Sequence, residues 1–90
     1  MAKKKRVTFS FDPPQAYSEV KLCGSFTNWV EGAITMTKGK TGAWKAQVSL
    51  EPGEYEYKFI ADGVWLDDPF AEKQVANDQG TINSLRTVSA

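Results

Sequence analysis

Apolar and polar positions alternate along most of this chain. Val7, Phe9 and Phe11 are separated by Thr8 and Ser10, and a period of two is the signature of a strand with one buried face. Asp12-Pro13-Pro14 ends that strand, because proline gives the ladder no donor. Val20 and Leu22 alternate with Glu19 and Lys21 and predict a second strand. Ile34 and Met36 mark a short third, and Lys38-Gly39-Lys40-Thr41-Gly42 reads as a turn. Ala43 to Leu50 is the fourth, with Trp44, Ala46, Val48 and Leu50 turned inward. Glu51-Pro52-Gly53-Glu54 closes it as a second turn. On the fifth strand Tyr55, Tyr57 and Phe59 face one way, and Glu56, Lys58 and Ile60 the other. Asp62-Gly63 is a two-residue hairpin signal, so Val64-Trp65-Leu66 should return as a sixth strand. Asp67 to Gly80 is expected to be a long irregular loop. Ile82 to Val88 forms a seventh strand, with a bulge expected around Asn83, where the alternation fails.

About seven short strands with turns between them and no helical period predict an all-β, immunoglobulin-like β-sandwich. Ninety residues suffice for one domain and one core. Phe9, Leu22, Val48, Tyr57 and Phe59 are the expected core. No Cys–Trp–Cys framework is present, which excludes an antibody-type domain.

The tryptophans divide. Trp44 begins an alternating run and belongs to the core. Trp29 closes the loop Gly24-Ser25-Phe26-Thr27-Asn28-Trp29, and Trp65 follows the hairpin turn. A loop indole is either tucked into the core as a large apolar payload or kept outside to hold something. Two such indoles make a flat aromatic platform. An aromatic face is negative above its plane and attracts the polarised C–H bonds of a sugar ring.

Composition narrows the choices. Lysine plus arginine and aspartate plus glutamate each number 11 and cancel, so no electrostatic case exists for nucleic acid. The cluster Lys3-Lys4-Lys5-Arg6 reads as a solvated tail. No apolar stretch reaches the length of a signal peptide or a membrane span. The single cysteine, Cys23, stands beside Leu22 and reads as a small buried hydrophobe in a reducing compartment, which predicts a cytoplasmic protein.

The chain contains no histidine, so the usual general base and the commonest zinc ligand are missing. Asp67 and Asp68 are neighbouring carboxylates, and neighbours rarely flank a scissile bond from opposite sides as glycosidase acid and nucleophile must. With Asp78 they lack calcium-loop spacing, and their expected role is capping of the loop. Neither catalysis, a bound metal nor a cofactor is expected.

The residues singled out form an ordered series. Val20 to Trp29, with its Gly-Ser-Phe-Thr-Asn-Trp ending, resembles the opening of family-48 carbohydrate-binding modules. Leu50-Glu51-Pro52-Gly53-Glu54-Tyr55-Glu56-Tyr57-Lys58-Phe59-Ile60-Ala61-Asp62-Gly63-Val64-Trp65 resembles that family's Leu-x-x-Gly-x-Tyr-x-Tyr-Lys-Phe-x-x-Asp-Gly-x-Trp. Asp68-Pro69 and Gly80-Thr81-Ile82-Asn83-Ser84 complete the pattern. The family includes the glycogen-binding domain of AMP-activated protein kinase β subunits and the N-terminal domains of isoamylase and branching enzymes. The resemblance implies an early-set immunoglobulin-like sandwich over residues 7–90, preceded by a basic tail at 1–6.

It also implies site residues. Trp29 and Trp65 match the stacking indoles, and Lys58 matches a lysine that bonds sugar hydroxyls. Asn83 matches an amide that pairs with adjacent hydroxyls, supported by Thr81. Gln79 stands where kinase-type members carry an apolar residue that enters the curve of the glucan, and so departs from the pattern. The implied function is non-catalytic binding of α-1,4-linked glucans such as glycogen, starch or maltooligosaccharides. A glucan-active enzyme or a kinase is the implied protein partner, and neither nucleic acid nor a membrane is. The competing reading is a protein-interaction domain on the same fold with no sugar site.

Overall fold

The computed structural model describes residues 3–13, 15–77 and 80–89. Their strands are β1 (Lys5–Phe11), β2 (Val20–Gly24), β3 (Ile34–Thr35), β4 (Thr37–Lys38), β5 (Trp44–Leu50), β6 (Gly53–Ala61), β7 (Val64–Leu66), β8 (Lys73–Ala76) and β9 (Ile82–Val88), with one 3-10 turn at Trp29–Gly32. A three-stranded sheet runs β1-β5-β4. A six-stranded sheet runs β3-β2-β6-β9-β8, and β7 also pairs with β6. The fold is an all-β sandwich.

The core lies between the sheets and follows the alternation. Val7, Phe9 and Phe11 of β1 are buried and stand opposite Val48, Ala46 and Trp44 of β5. From the other sheet Val20, Leu22, Tyr57 and Phe59 complete it. Phe11 stacks on Phe59 with centroids 4.4 Å apart, and Phe9 meets Tyr57 edge-on at 4.9 Å. Such pairs add about 0.5–1.5 kcal/mol each beyond burial. Val48 departs from expectation. It is only partly buried, at the margin of the core.

Other features also differ, among them the expected short third strand, which is divided into β3 and β4 on different sheets, and the second turn, whose Gly53 and Glu54 already belong to β6. β1 starts at Lys5, because main-chain pairing with Leu50 and Ser49 extends the ladder through two basic residues. The expected irregular stretch from Asp67 to Gly80 contains β8, a strand with no apolar period that is held by pairing with β9. β9 has no bulge at Asn83: its register runs unbroken through Asn83 against β8, and from Ser84 to Val88 against β6. The alternation fails there because Asn83, Ser84 and Leu85 are buried in succession, covered on both faces of the sheet.

Two glycines place the loops. Asp62 and Gly63 have φ of 48° and 85°, the positive pair of a type I′ hairpin turn. The Asp62 carboxylate accepts from Ser18 N at 3.0 Å and Glu19 N at 2.8 Å, which ties the turn to the segment before β2. At Gly24 a Cβ would lie 2.4 Å from Glu56 O, so only glycine lets this end of β2 approach β6.

Candidate functional site

The outward face of the six-stranded sheet is set by β6. Tyr57 and Phe59 point into the core, so Glu56, Lys58 and Ile60 point away from it. Ile60 stands opposite Trp65 on β7 and opposite Lys21 on β2. Trp65 is 45% exposed. The tight Asp62-Gly63 turn brings the indole back over this face, and its neighbour on β6 is an apolar side chain that supports one edge.

Two residues along from Ile60, Lys58 carries its charge toward the gap between β7 and β9. Its Nζ lies 3.7 Å from Asp67 Oδ1 and 3.5 Å from Thr81 Oγ1. The lysine side chain is only 13% exposed, so the stem lies along the sheet while the head reaches the polar cluster. Asp67 Oδ1 is shielded from solvent and accepts no hydrogen bond among the described residues. At 3.7 Å the ammonium supplies charge without a short bond.

Thr81 and Asn83 join this cluster through Asn77. Asn77 Nδ2 donates to Thr81 Oγ1 at 2.7 Å and to Asn83 Oδ1 at 3.1 Å, and Thr81 N donates to Asn77 Oδ1 at 3.1 Å. Asn83 Nδ2 donates to Glu56 Oε1 at 3.0 Å. These bonds account for one N–H and one lone pair of the Asn83 amide, and leave one of each. Asn83 is only 6% exposed, so its amide is fixed in orientation and the cluster meets solvent chiefly at Thr81.

Trp29 is placed differently. It opens the 3-10 turn that packs against β2, and it is half-buried. Asn28 and Trp29 both have positive φ, 56° and 57°, a strained conformation for a bulky side chain. Thr27 holds the turn: its Oγ1 lies 2.9 Å from Trp29 O and 3.0 Å from Gly24 O, and it accepts from Gly24 N at 3.0 Å. Phe26, in the same loop, is partly buried against the core and stacks on Phe9 at 5.4 Å.

Lys58, Trp65, Thr81 and Asn83 thus share one face, three of them in a continuous polar cluster. The turn that carries Trp29 packs on β2, whose Cys23 pairs with Lys58. Gln79 and Asp78 lie outside the described residues. Sequence reasoning missed Glu56, Asp67 and Asn77 as members of the cluster. Glu56 was detectable, since it lies two residues from Lys58 on the same face of β6. Asn77 carries no local signal.

The other loop groups are structural. Asp68 Oδ1 accepts from Phe70 N at 3.0 Å, an Asx-turn, while its Oδ2 accepts from Tyr57 Oη at 2.7 Å. Burial, with that hydrogen bond, pushes the Tyr57 hydroxyl far above its ordinary pKa. Burial likewise pushes the Cys23 thiol up to about 11, so it is a protonated, packed side chain.

The family described as the glycogen recognition site of AMP-activated protein kinase matches residues 7–90. The chain is 40% identical over 72 residues to FLOURY ENDOSPERM 6 of Oryza sativa subsp. japonica, a chloroplastic protein, covering 80% of this chain and 13% of that one. It is 38% identical over 76 residues to the chloroplastic PTST homolog 2 of Arabidopsis thaliana, covering 84% and 14%. It is 39% identical over 67 residues to the AMP-activated protein kinase subunit beta-1 of Sus scrofa, covering 74% and 52%. The chain therefore spans a small part of the plant relatives and about half of the porcine one. Among solved structures, a maltogenic amylase from S. marinus superposes with a TM-score of 0.78 at 22% identity, over 97% of this chain and 14% of that one, which establishes the shared fold.

The cytoplasmic placement expected above is corrected by these relatives, since both plant proteins are chloroplastic. A buried thiol and a balanced charge suit any compartment that leaves thiols reduced, so composition selects none of them. The match across residues 7–90 shows that the chain belongs to the glycogen-recognition family of AMP-activated protein kinase, a family of non-catalytic carbohydrate-binding modules.

Proposed function

We propose that this chain binds α-1,4-linked glucans without transforming them. In this reading Trp65 is the stacking face, and Lys58, Thr81 and Asn83 supply the hydroxyl contacts. The observation that carries it is an indole 45% exposed on the same sheet face as a hydrogen-bonded polar cluster. A sugar ring needs that combination: an apolar surface for its C–H face, and a donor and acceptor beside it for its edge. Trp29 contributes a second apolar edge from the β2 side.

The site is shallow, so binding must offset ordering and competition from water with few contacts. A Kd between about 10 μM and 1 mM follows, or about −4 to −7 kcal/mol. Catalysis is not part of this reading. Of the two adjacent carboxylates, Asp67 is paired with Lys58, and Asp68 is occupied with Tyr57 and Phe70. Because the porcine relative is a kinase subunit, the proposal includes a kinase as the class of protein that a glucan-bound module would accompany.

Native electrophoresis in gels with and without glycogen tests the proposal. Retardation by glycogen is expected for the wild-type chain and reduced retardation for Trp65→Ala. Equal mobility of the wild type in both gels overturns the reading in favour of a protein-interaction domain.

A further inference from the structure

The segment after β1 and the loop between β7 and β8 enclose a cleft of about 400 Å³, within the range of roughly 300–1,000 Å³ occupied by small-ligand sites. Phe11, Tyr17, Leu66 and Phe70 line it together with the carboxylates of Asp12 and Asp67. Phe70 is 87% exposed, the largest value among the exposed large hydrophobic residues. Its backbone is anchored. Phe70 N donates to the carboxylate of Asp68, which is itself held by Tyr57 Oη at 2.7 Å and by the bond from Asp68 N to Ser84 Oγ at 2.9 Å. The ring is thus presented to water from a fixed loop. Across the cleft the Tyr17 ring is oriented by its hydroxyl, which donates to Gln15 Oε1 at 3.0 Å.

The cleft adjoins the outer-face site across β7, whose consecutive residues point to opposite faces of the sheet. Trp65 and Leu66 are consecutive on β7, where Trp65 stands opposite Ile60 and Leu66 opposite Phe59. The cleft therefore begins one residue beyond the exposed indole, round the edge of the strand. Asp67 belongs to both places. It lines the cleft and lies 3.7 Å from Lys58 Nζ, and its shielded Oδ1 accepts no hydrogen bond among the described residues.

We propose that this cleft is a second glucosyl subsite, which takes the continuation of a glucan chain bound on the Trp65–Lys58 face. The proposal rests on the glucan-binding reading above and extends it to new residues. Aromatic walls suit the C–H faces of a pyranose, and carboxylates accept from its hydroxyls. Asp12, Asp67 and Asp68 line the cleft against the single ammonium of Lys58, a net negative charge that favours a neutral polyol over a phosphorylated one. α-1,4-Linked chains curve, and a curved chain can pass round the short β7 edge.

Titration calorimetry with maltotriose and maltoheptaose on the wild type, Phe70→Ala, Phe70→Trp and Trp65→Ala tests this. The wild type is expected to bind maltoheptaose about tenfold more tightly than maltotriose, the contribution of one further aromatic contact. Phe70→Ala should cut that preference to about twofold by weakening only the longer sugar, and Phe70→Trp should restore it. Trp65→Ala should weaken both sugars. An unchanged preference in Phe70→Ala, or equal affinities in the wild type, overturns the second subsite while leaving the first intact. Sedimentation showing that Phe70→Ala abolishes self-association, with the preference unchanged, assigns the ring to a contact between copies and also overturns it. A wild type that binds neither sugar overturns the underlying reading, and the subsite with it.

Discussion

Trp65 stands directly across from Ile60, and this pairing holds the indole on the outer sheet face while leaving it 45% exposed. An exposed ring contributes little to folding and much to a stacked ligand. Trp65→Ala should therefore weaken glucan binding by about 1–3 kcal/mol, as other aromatic platforms do, with an almost unchanged melting temperature. Trp44, buried at 6% between the sheets, should behave in the opposite way. Trp44→Ala should cost about 3–5 kcal/mol of stability, the usual cost of deleting a core aromatic. Melting curves and glycogen retention measured on both variants check this. Equal destabilisation by the two would place Trp65 in the core.

Lys58 calls for two substitutions, because its stem and its head do different things. The side chain is 13% exposed, and its Nζ lies within 3.5–3.7 Å of Thr81 and Asp67. Lys58→Met keeps the apolar stem and removes the charged head. It should weaken maltoheptaose binding by about 1.5–3 kcal/mol, the scale of a charge-assisted hydrogen bond, and lower the melting temperature because the shielded Asp67 Oδ1 loses the charge beside it. Lys58→Ala should show the same loss of binding and a still lower melting temperature. Calorimetry beside thermal denaturation separates the two. Lys58→Met binding as tightly as the wild type would remove the lysine from the site.

The strands and the face of β6 were legible in the sequence because period-two alternation is a local property. Val7, Phe9 and Phe11 could be assigned to the core without knowing their partners, and Asp62-Gly63 announced its own turn. β8 was hidden because Lys73, Gln74 and Ala76 are exposed, and the strand exists by main-chain pairing with β9. Asn83 misled for a related reason. Its burial rests on Glu56, distant in sequence, and on Asn77 in the preceding loop, so the failed alternation looked like a bulge. The left-handed backbone of Trp29 was equally invisible, since nothing in a tryptophan announces positive φ.

Alkaline pH should unfold the domain through two acids held in the protonated form. Burial raises Cys23 from 9.0 to about 11 and raises Tyr57 above its ordinary 10.0. The sign follows from linkage. Above pH 9 the unfolded chain releases the Cys23 proton and the native chain keeps it, so the unfolded state binds fewer protons and stability falls as pH rises. The fall from Cys23 spans about pH 9 to 11, and that from Tyr57 begins near pH 10 and continues above it. Cys23→Ala should flatten the lower part of this decline. Urea midpoints at pH 8, 9.5 and 10.5 on the two proteins measure it, and identical pH slopes would show that the thiol takes no part.

Asp68 links the loop after β7 to the core. It accepts from Tyr57 Oη on one oxygen and from Phe70 N on the other, while its carbonyl accepts from Gln74 Nε2 at 2.8 Å. Tyr57→Phe leaves the carboxylate without one partner in a buried place, a cost of about 1–3 kcal/mol. Asp68→Ala removes both side-chain bonds and should free the loop that carries Phe70. Both variants should melt below the wild type, and only Asp68→Ala should accelerate amide exchange at Phe70. Equal exchange at that amide in the wild type and Asp68→Ala would show that the Asx-turn does not hold the loop.

Trp29 carries the last expectation, and its backbone decides the form of the test. With φ at 57° it sits where glycine rests without strain and a residue with a Cβ does not. Trp29→Ala and Trp29→Gly lose the same ring, so both should weaken glucan binding to a similar degree. They should differ in stability. Both lose the packing of the half-buried indole on the β2 side, but Trp29→Gly relieves the left-handed strain at this position and Trp29→Ala keeps it. Glycine also loosens the unfolded chain, which offsets part of the relief. The net expectation is that Trp29→Gly is at least as stable as Trp29→Ala, by up to about 1 kcal/mol, the reverse of the order at an ordinary loop position. Urea denaturation of both variants reads the order directly. Trp29→Ala proving the more stable would mean that the turn relaxes to negative φ once the ring is gone, and that the indole itself, not Thr27 and the close approach at Gly24, imposes the backbone conformation there.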